Sequence, residues 1–319
     1  MPRSSQRIPA LAALALLAAA CSHAPAAEPK PLRSTGSPSP SVSPNPPADV
    51  VFDARATLAY DRVLAVSIGP REAASAAYRR AAGYAARRFA SWGYTVTRQR
   101  FPVPAGKSQG VPVGGGLSQN VIATPPGYDP SKPHLVVGGH LDTVSPSPGG
   151  NDNGSGAAMV LELARLASLA STKMPVVWIE FGAEERRRPG NSGATFGSRY
   201  YVAHMSTAER RSLRGMLAVD MVGNGPQAFI CHESLTGDGF VDALLATAKR
   251  LHLPAQQRVV VGLFSDHYAF EHAGYVVGWL WSGENPTLHT PRDTIAVAQR
   301  SSIDRIGRIA WETLRTLRL

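Results

Sequence analysis

The stretch Leu135-Val-Val-Gly-Gly-His140-Leu-Asp142 decides the fold, because it joins a short apolar run to a histidine and an aspartate. An apolar run of this length predicts a buried strand that ends close to the histidine. Residues 155–170 follow with apolar side chains on one helical face, and Val176-Val-Trp-Ile-Glu-Phe181 predicts a second buried strand. Strands that alternate with helices imply a mostly parallel sheet that is covered on both faces.

The same alternation continues on both sides of this stretch. Further helices are predicted over 71–92, 240–251 and 302–317, and further strands over 94–101, 121–123, 216–221 and 276–281. Residues 102–116 are rich in Pro and Gly, and we interpret them as a loop. The predicted fold class is α/β, with three layers (α/β/α), a mostly parallel mixed sheet and helices on both faces. Ligands bind beyond the carboxyl ends of the strands in such sheets, so the polar residues found there are the candidate functional residues.

The N-terminal segment carries the pattern of an export signal. Arg3 and Arg7 precede the apolar segment Ile8 to Ala20, which is followed directly by Cys21. This apolar segment is shorter than the ~20 residues that span a bilayer. We interpret residues 1–21 as a signal peptide of the lipoprotein type, with lipidation at Cys21 and plain secretion as the alternative. The predicted location is therefore a bacterial cell envelope or the medium outside the cell.

Composition separates a tether from one large domain. Residues 22–49 are rich in Pro, Ser and Ala and predict a disordered tether, which leaves 50–319 for a single folded domain. The net charge is +10, yet no nucleic-acid motif accompanies the basic residues. We predict no nucleic-acid partner, no obligate protein partner, and membrane contact only through a lipid on Cys21. Cys231 follows an apolar run, where a free cysteine is usually a buried small hydrophobe.

Acidic and imidazole side chains form five clusters along the apolar runs. The clusters are His140 with Asp142, Asp152, Glu184 with Glu185, Asp220, and His289 with Asp293. Taken singly, most have an ordinary structural explanation, since Asp and Asn are common N-cap and turn residues. Asp220 is the exception, because an ionised carboxylate inside an apolar strand costs several kcal/mol unless it is paired or bound to a metal. Glu184 and Glu185 also repel each other unless a cation neutralises them.

The motifs of other hydrolases and of nucleotide-binding proteins are missing from this sequence. It contains no Gly-x-Ser-x-Gly nucleophile elbow at a strand-to-helix turn, no glycine-rich phosphate loop and no His-Glu-x-x-His helix. The five clusters offer two imidazoles and three carboxylates as ligands, a set that suits zinc in a two-metal hydrolytic site. Ser265, Asp266 and His267 open a predicted helix, and we interpret them as helix cap and pocket wall rather than ligands.

In this order, the clusters resemble those of the co-catalytic di-zinc aminopeptidases of the aminopeptidase Y and aminopeptidase S type. The resemblance extends from Gln119 to the C-terminus and rests on the ordered set rather than on one motif. It implies a zinc exopeptidase-like fold, a metallopeptidase domain over 50–319, and two zinc ions per chain. It also implies a cis peptide bond between Asp152 and Asn153.

The resemblance also implies a role for each site residue. It assigns two ligands to each zinc ion and one carboxylate to both ions: His140 and Asp220, Glu185 and His289, and the bridging Asp152. Glu184 becomes the general base that takes a proton from a metal-activated bridging water. Asp142 orients His140. Apart from the resemblance, Asp293 is placed four residues after His289, where it is expected to support that histidine.

The sequence departs from the family pattern near two of these residues. Leu288 stands where some members carry a tyrosine that stabilises the oxyanion, and a disulfide near His289 is missing. A longer basic run, Arg186-Arg-Arg-Pro-Gly-Asn-Ser-Gly193, follows Glu185. We interpret this run as a solvated loop. The alternative is that one or more of the arginines 186–188 face the cleft and favour acidic substrates or a terminal carboxylate.

The predicted function is that of a zinc-dependent exopeptidase, most simply an aminopeptidase, which hydrolyses the N-terminal bond of peptide substrates. Two alternatives share the fold. One is a glutaminyl-cyclase-like acyltransferase that works with a single zinc ion. The other is a non-catalytic binding module, and the presence of all six central residues argues against such a decayed site.

Overall fold

An eight-stranded mixed sheet forms the centre of the computed structural model, which describes residues 50–319. The predicted signal peptide (1–21), the tether (22–49) and the lipidation site Cys21 lie outside the described residues. Within residues 50–319, no helix is both long enough and apolar enough to cross a bilayer.

The strand order of the sheet confirms the predicted α/β class. In chain order the strands are β1 (Thr95–Val103), β2 (Gly106–Ser108), β3 (Val111–Val113), β4 (Gly116–Thr124), β5 (His134–His140), β6 (Val176–Phe181), β7 (Leu213–Val219), β8 (Ala228–His232), β9 (Ala255–Val259) and β10 (Val277–Trp281). The main sheet runs β1-β4-β6-β5-β7-β10-β8-β9. Its centre, β6-β5-β7-β10, is parallel. The pairs β1–β4, β4–β6 and β10–β8 are antiparallel, and the edge pair β8–β9 is parallel. Strands β2 and β3 form a separate antiparallel hairpin.

Helices cover both faces of the sheet, as predicted. They are α1 (Ala54–Arg62, extended by a π-helical turn over Val63–Ile68), α2 (Ala76–Ser91), α3 (Gly154–Leu169), α4 (Phe196–His204), α5 (Thr207–Ser212), α6 (Gly239–Arg250), α7 (His267–Glu271) and α8 (Arg300–Thr316). Helices α1, α2, α3, α6 and α8 pack in one layer, and α4 and α7 lie in the other. Successive residues of a strand point to opposite faces of the sheet. Leu135 and Val137 pack into the core on the first face, and Val136 packs into the core on the second.

The predicted loop over residues 102–116 is wrong in one respect, because it contains the hairpin of β2 and β3. These strands are three residues long and pair only with each other. Pro112 stands within one of them. Such short strands carry no periodic apolar pattern, so their pairing cannot be predicted from the sequence.

The topology brings four strand ends together. Strand β5 lies between β6 and β7. The connection from β5 to β6 runs through α3 on one face, and the connection from β6 to β7 runs through α4 on the other. A crevice opens where two such connections leave a sheet in opposite directions. The carboxyl ends of β5, β6, β7 and β10 all point to this edge, and the predicted site residues follow them.

Candidate metal centre

The five predicted metal ligands lie around this crevice. His140 is the last residue of β5, and Asp220 directly follows β7. Glu185 follows β6, Asp152 precedes α3, and His289 lies in the segment after β10. Four of them are buried, and the side chain of His289 is 30% exposed. Residues that are 149 positions apart in the chain, from His140 to His289, therefore share one site.

Asp152 lies between the two histidines. Its Oδ1 atom is 3.2 Å from Nε2 of His140, and its Oδ2 atom is 3.0 Å from Nε2 of His289. On the first side, Oδ1 of Asp220 lies 3.4 Å from His140 Nε2. On the second side, Oε2 of Glu185 lies 3.1 Å from His289 Nε2. The site thus has two halves, each with one imidazole and one carboxylate of its own, and Asp152 presents one oxygen to each half.

The spacing of these atoms fits zinc. Tetrahedral coordination with Zn–N and Zn–O bonds of 2.0–2.1 Å separates neighbouring ligand atoms by about 3.3–3.4 Å. The four nitrogen–oxygen distances in the two halves lie between 3.0 and 3.4 Å. In addition, Oδ1 of Asp220 and Oε1 of Glu185 are buried and make no hydrogen bond within residues 50–319. A cation in each half would satisfy both oxygens, so the two halves form a candidate zinc site.

The electrostatics of the cluster also favour bound cations. Burial lowers the pKa of His289, but Glu185 and Asp152 outweigh burial and raise it to about 11. Burial likewise opposes charge on His140, yet Asp220 and the neighbouring carboxylates raise its pKa well above the usual value. Burial and the nearby Asp152 raise the pKa of Glu185 to about 7. The carboxylates thus draw protons towards this pocket, and a divalent cation satisfies the same demand for positive charge.

The turn before α3 leaves the Asp152 carboxylate free. Asn153, and not Asp152, caps the helix, because its Oδ1 atom accepts a hydrogen bond from Gly156 N at 3.0 Å. The same oxygen accepts from Met221 N at 3.1 Å, which ties this turn to the residue after Asp220. The Asp152–Asn153 peptide bond is cis, as the resemblance implied. Of the Asp-Asn pair that was considered as a helix cap, only the asparagine caps α3.

Asp142 supports the site differently from the predicted manner. His140 Nδ1 donates to the main-chain carbonyl of Asp142 at 3.1 Å, whereas the carboxylate lies 3.8 Å away. The carboxylate instead accepts from the backbone N–H groups of Glu184 at 3.0 Å and of Glu185 at 3.2 Å. One buried residue therefore fixes the ring of a metal ligand and the turn that carries both glutamates.

Asp293 also has a different partner from the predicted one. Its carboxylate makes no hydrogen bond or ion pair with His289 within residues 50–319. Its Oδ1 and Oδ2 atoms accept from the backbone N–H groups of Asn151 and Asp152, each at 3.0 Å. Asp293 thus holds the main chain of the bridging aspartate. The partner of His289 is Gln109, whose side-chain amide lies 2.6 Å from His289 Nδ1, within hydrogen-bonding distance. The sequence analysis missed Gln109, because it lies in the hairpin that was predicted to be a loop.

Glu184 presents a free carboxylate to the crevice. Its side chain is mostly buried, lines the cleft and makes no hydrogen bond or ion pair to any residue of the described domain. Burial raises the pKa of Glu184 well above its usual value, and the neighbouring Glu185 acts in the same direction. An unpaired carboxylate beside the two half-sites has the position and the freedom of a proton acceptor.

The Ser265-Asp266-His267 segment does not line the cleft, which corrects the predicted pocket wall. All three residues are fully buried. Asp266 occupies the N-cap position of α7 without making a capping hydrogen bond from its side chain. Burial lowers the pKa of His267 to about 3, and its neutral ring stacks on Trp279 with ring centres 5.0 Å apart. The segment therefore supports the cleft from behind, through a tryptophan that does line it.

A cleft of ≈ 380 Å³ contains the five ligand candidates and Glu184. Apolar side chains form much of its remaining wall: Met221, Leu263, Phe264, Trp279, Trp281 and Leu288. Arg186 also lines it, and its guanidinium lies 4.8 Å from the ring centre of Phe264. The cleft therefore places an apolar surface next to a strongly polar centre, an arrangement typical of small-molecule sites.

The basic run after Glu185 is not a solvated loop throughout. Arg187 is 3% exposed, pairs with Glu72, and donates from Nε to Pro104 O at 3.0 Å. Arg188 is exposed and donates from Nε to Ala105 O at 3.1 Å. Arg186 alone lines the central cleft. Any contact between this run and a substrate in that cleft would therefore fall to Arg186, while the next two arginines hold the chain around the hairpin.

We expect the variant Arg187→Ala to lower the free energy of unfolding by about 3 kcal/mol, because it leaves Glu72 and two backbone carbonyls without their buried partner. The neighbouring variant Arg188→Ala removes one exposed hydrogen bond and should cost about 1 kcal/mol or less. Urea unfolding of both variants measures the difference. Equal urea midpoints for the two variants would show that Arg187 stabilises the fold no more than Arg188 does.

Comparisons with known proteins identify the family of this chain. Residues 120–314 match the family model described as peptidase family M28. Leupeptin-inactivating enzyme 1 of Streptomyces exfoliatus is 32% identical over 251 residues, which are 77% of this chain and 52% of that protein. The chain spans about half the length of the curated relatives it matches, since aminopeptidase YwaD of Bacillus subtilis is covered over 42%.

Solved structures show the same fold at low identity. The zinc aminopeptidase BSAP from Bacillus subtilis superposes with a TM-score of 0.72 at 19% identity, over 84% of this chain and 97% of that one. The glutaminyl cyclase of Porphyromonas gingivalis gives a TM-score of 0.68 at 22% identity, over 84% and 99%. The family model covers more than half of the chain and includes all six central residues. The chain belongs to peptidase family M28, which confirms the resemblance that its ordered clusters suggested.

Proposed function

We propose that this protein is an aminopeptidase that uses two zinc ions to remove the N-terminal residue of peptides. The observation that carries the proposal is the position of Asp152, whose two oxygens face two different half-sites at 3.2 and 3.0 Å. A single ion would use only one of these halves. It would leave the imidazole and the carboxylate of the other half without a cation.

The residues that would hold the ions follow from the two halves. His140, Asp220 and Oδ1 of Asp152 would hold one ion, and His289, Glu185 and Oδ2 of Asp152 would hold the other. When bound, zinc polarises a carbonyl group and lowers the pKa of water, which is the chemistry that peptide hydrolysis requires.

Glu184 would move the proton in this reaction. Its free carboxylate takes a proton from the attacking water and passes it to the nitrogen of the leaving peptide, so that it acts as base and then as acid. Asp142 keeps the carboxylate in place, because it accepts hydrogen bonds from the backbone of Glu184 and Glu185. The carboxylates of the cluster would also attract the positively charged α-amine of a substrate, which favours cleavage at the N-terminus.

The walls of the cleft favour apolar N-terminal side chains. Met221, Phe264 and Leu288 form apolar walls beside the polar centre, and the charged side chains of Arg186 and Glu284 also line the cleft. Burying a leucine-sized side chain against such a wall contributes roughly 1.5–3 kcal/mol. We therefore propose that peptides with a large apolar first residue are the preferred substrates. Export and lipid attachment at Cys21 remain a proposal supported by the sequence of residues 1–49 alone.

A panel of aminoacyl chromogenic substrates tests the function. We expect the Leu substrate to exceed the Glu substrate by roughly tenfold or more in kcat/KM. A chelator should abolish hydrolysis, and added zinc should restore it. The same preparation is tested for cyclisation of an N-terminal glutamine. Cyclisation without peptide hydrolysis, with one zinc ion per chain, would replace this proposal by the cyclase alternative.

A further inference from the structure

The two histidines of the centre are held by different kinds of partner. His140 Nδ1 donates to a main-chain carbonyl, which no substitution can remove. His289 Nδ1 is instead hydrogen-bonded to the side-chain amide of Gln109, which belongs to the β2–β3 hairpin. His289 lies in an irregular segment, its φ is 60°, and its side chain is partly exposed. Its ring therefore depends on a replaceable contact in a way that the ring of His140 does not.

Gln109 occupies an unusual position for a residue with a long side chain. It and Gly110 form the two-residue turn of the hairpin, with φ values of 47° and 80°. A turn of this type favours Asn, Asp or Gly at both positions, because both need positive φ. A glutamine here adopts a backbone conformation that it disfavours by itself, and non-glycine residues in such conformations cluster at functional sites. Its longer side chain contacts the histidine.

The hairpin is attached on two sides and is not a free flap. Lys107 N donates to Arg187 O at 2.9 Å, and Ser145 N donates to the side-chain oxygen of Ser108 at 2.7 Å. The chain before and after it is held by Arg187, which bonds Pro104 O and Gly114 O. The arginine run that follows the two glutamates thus fixes the hairpin, and the hairpin in turn brings its tip to His289.

We propose that Gln109 is a positioning residue for the half-site formed by His289 and Glu185. Its amide holds the imidazole by Nδ1, so that Nε2 faces Asp152 and Glu185 at 3.0 and 3.1 Å. A side-chain amide carries a donor and an acceptor, and a half-turn exchanges them. It can therefore accept from Nδ1 when the ring is doubly protonated or when Nε2 binds a cation, and donate to Nδ1 when Nε2 alone carries a proton. The inference rests on the proposed function in so far as His289 holds a metal ion.

The first experiment measures zinc affinity in the purified protein loaded with two zinc ions. Chelator competition is followed for wild type, Gln109→Ala, Gln109→Glu and the control Lys107→Ala, whose exposed side chain lies in the same hairpin. We expect Gln109→Ala to bind one of the two ions about 10- to 100-fold more weakly and to leave the other unchanged. Gln109→Glu keeps an acceptor for Nδ1 and should bind both ions as tightly as wild type.

A second measurement works without metal. The ¹⁵N spectrum of histidine-labelled, zinc-free protein reports the protonation and hydrogen bonding of both ring nitrogens of His289. We expect the His289 signals to shift in Gln109→Ala and to stay in place in Lys107→Ala. The positioning role would be overturned if the His289 signals of Gln109→Ala matched those of wild type. It would also be overturned if Gln109→Ala bound both zinc ions as tightly as wild type. If wild type binds fewer than two ions, the two-zinc function fails, and the metal-free spectrum still decides the contact.

Discussion

Replacing Glu184 with glutamine should lower kcat by about 10²- to 10⁴-fold while both zinc ions stay bound. The substitution keeps the size of the side chain and removes only its ability to take a proton. The Glu184 side chain makes no hydrogen bond within the described domain, and its backbone hydrogen bond to Asp142 is kept, so the change breaks no structural contact. The metal ligands and Asp142 are untouched. Steady-state kinetics with a Leu substrate measures the loss of kcat, and the zinc content per chain shows whether both ions stay bound.

The control for this variant is Glu312→Gln on the surface of α8, where the carboxylate pairs with Arg315 and with no other residue of the described domain. It should keep wild-type kcat. A Glu184→Gln protein with unchanged kcat would show that another group moves the proton, and the mechanism proposed here would be wrong. A loss of zinc in that variant would instead assign Glu184 to the ligands.

The substitution Asp152→Asn should have the larger effect on metal binding, because it acts on both halves of the centre at once. An asparagine retains the shape of the side chain, and the cap of α3 is unaffected because Asn153 provides it. Only one oxygen and no negative charge remain to serve two cations. We expect both ions to bind more weakly and kcat/KM to fall by at least roughly 10³-fold, as expected when several kcal/mol of stabilisation are lost.

Asp220→Asn is the matched comparison for Asp152→Asn. Asp220 contacts only His140 among the two histidines, so its loss should weaken one ion and spare the other. Zinc titration followed by calorimetry distinguishes the two variants, and circular dichroism checks that both are folded. If Asp152→Asn retains two tightly bound ions, or if the two variants behave alike, Asp152 does not bridge the halves.

The sequence allows the parallel centre of the sheet to be predicted, because buried parallel strands are continuous apolar runs that need no partner to be recognised. The runs before His140, Glu184 and Asp220 belong to this class. Their carboxyl ends meet at one edge for topological reasons, so the ligands could be predicted to converge. The buried, free Cys231 was predicted on the same ground. The edge strand β9 was missed because it is mostly exposed and carries no such run.

The supporting contacts could not be predicted, because each depends on where a distant loop lies. Asp293 follows His289 closely in the sequence, and this proximity suggested a contact that the fold does not make. Its carboxylate reaches the backbone of Asp152 instead, 141 residues away. Gln109 reaches His289 across 180 residues, from a hairpin whose short strands show no pattern. Arg187 looked like part of a charged surface run, and only its burial shows that it holds the hairpin.

The position of zinc in crystals of the protein, located by anomalous scattering at the zinc edge, tests the two-metal centre. We expect two peaks, one between His140 and Asp220 and one between His289 and Glu185, with Asp152 contacting both. A single peak in one half, or zinc bound away from Asp152, would contradict the two-metal centre.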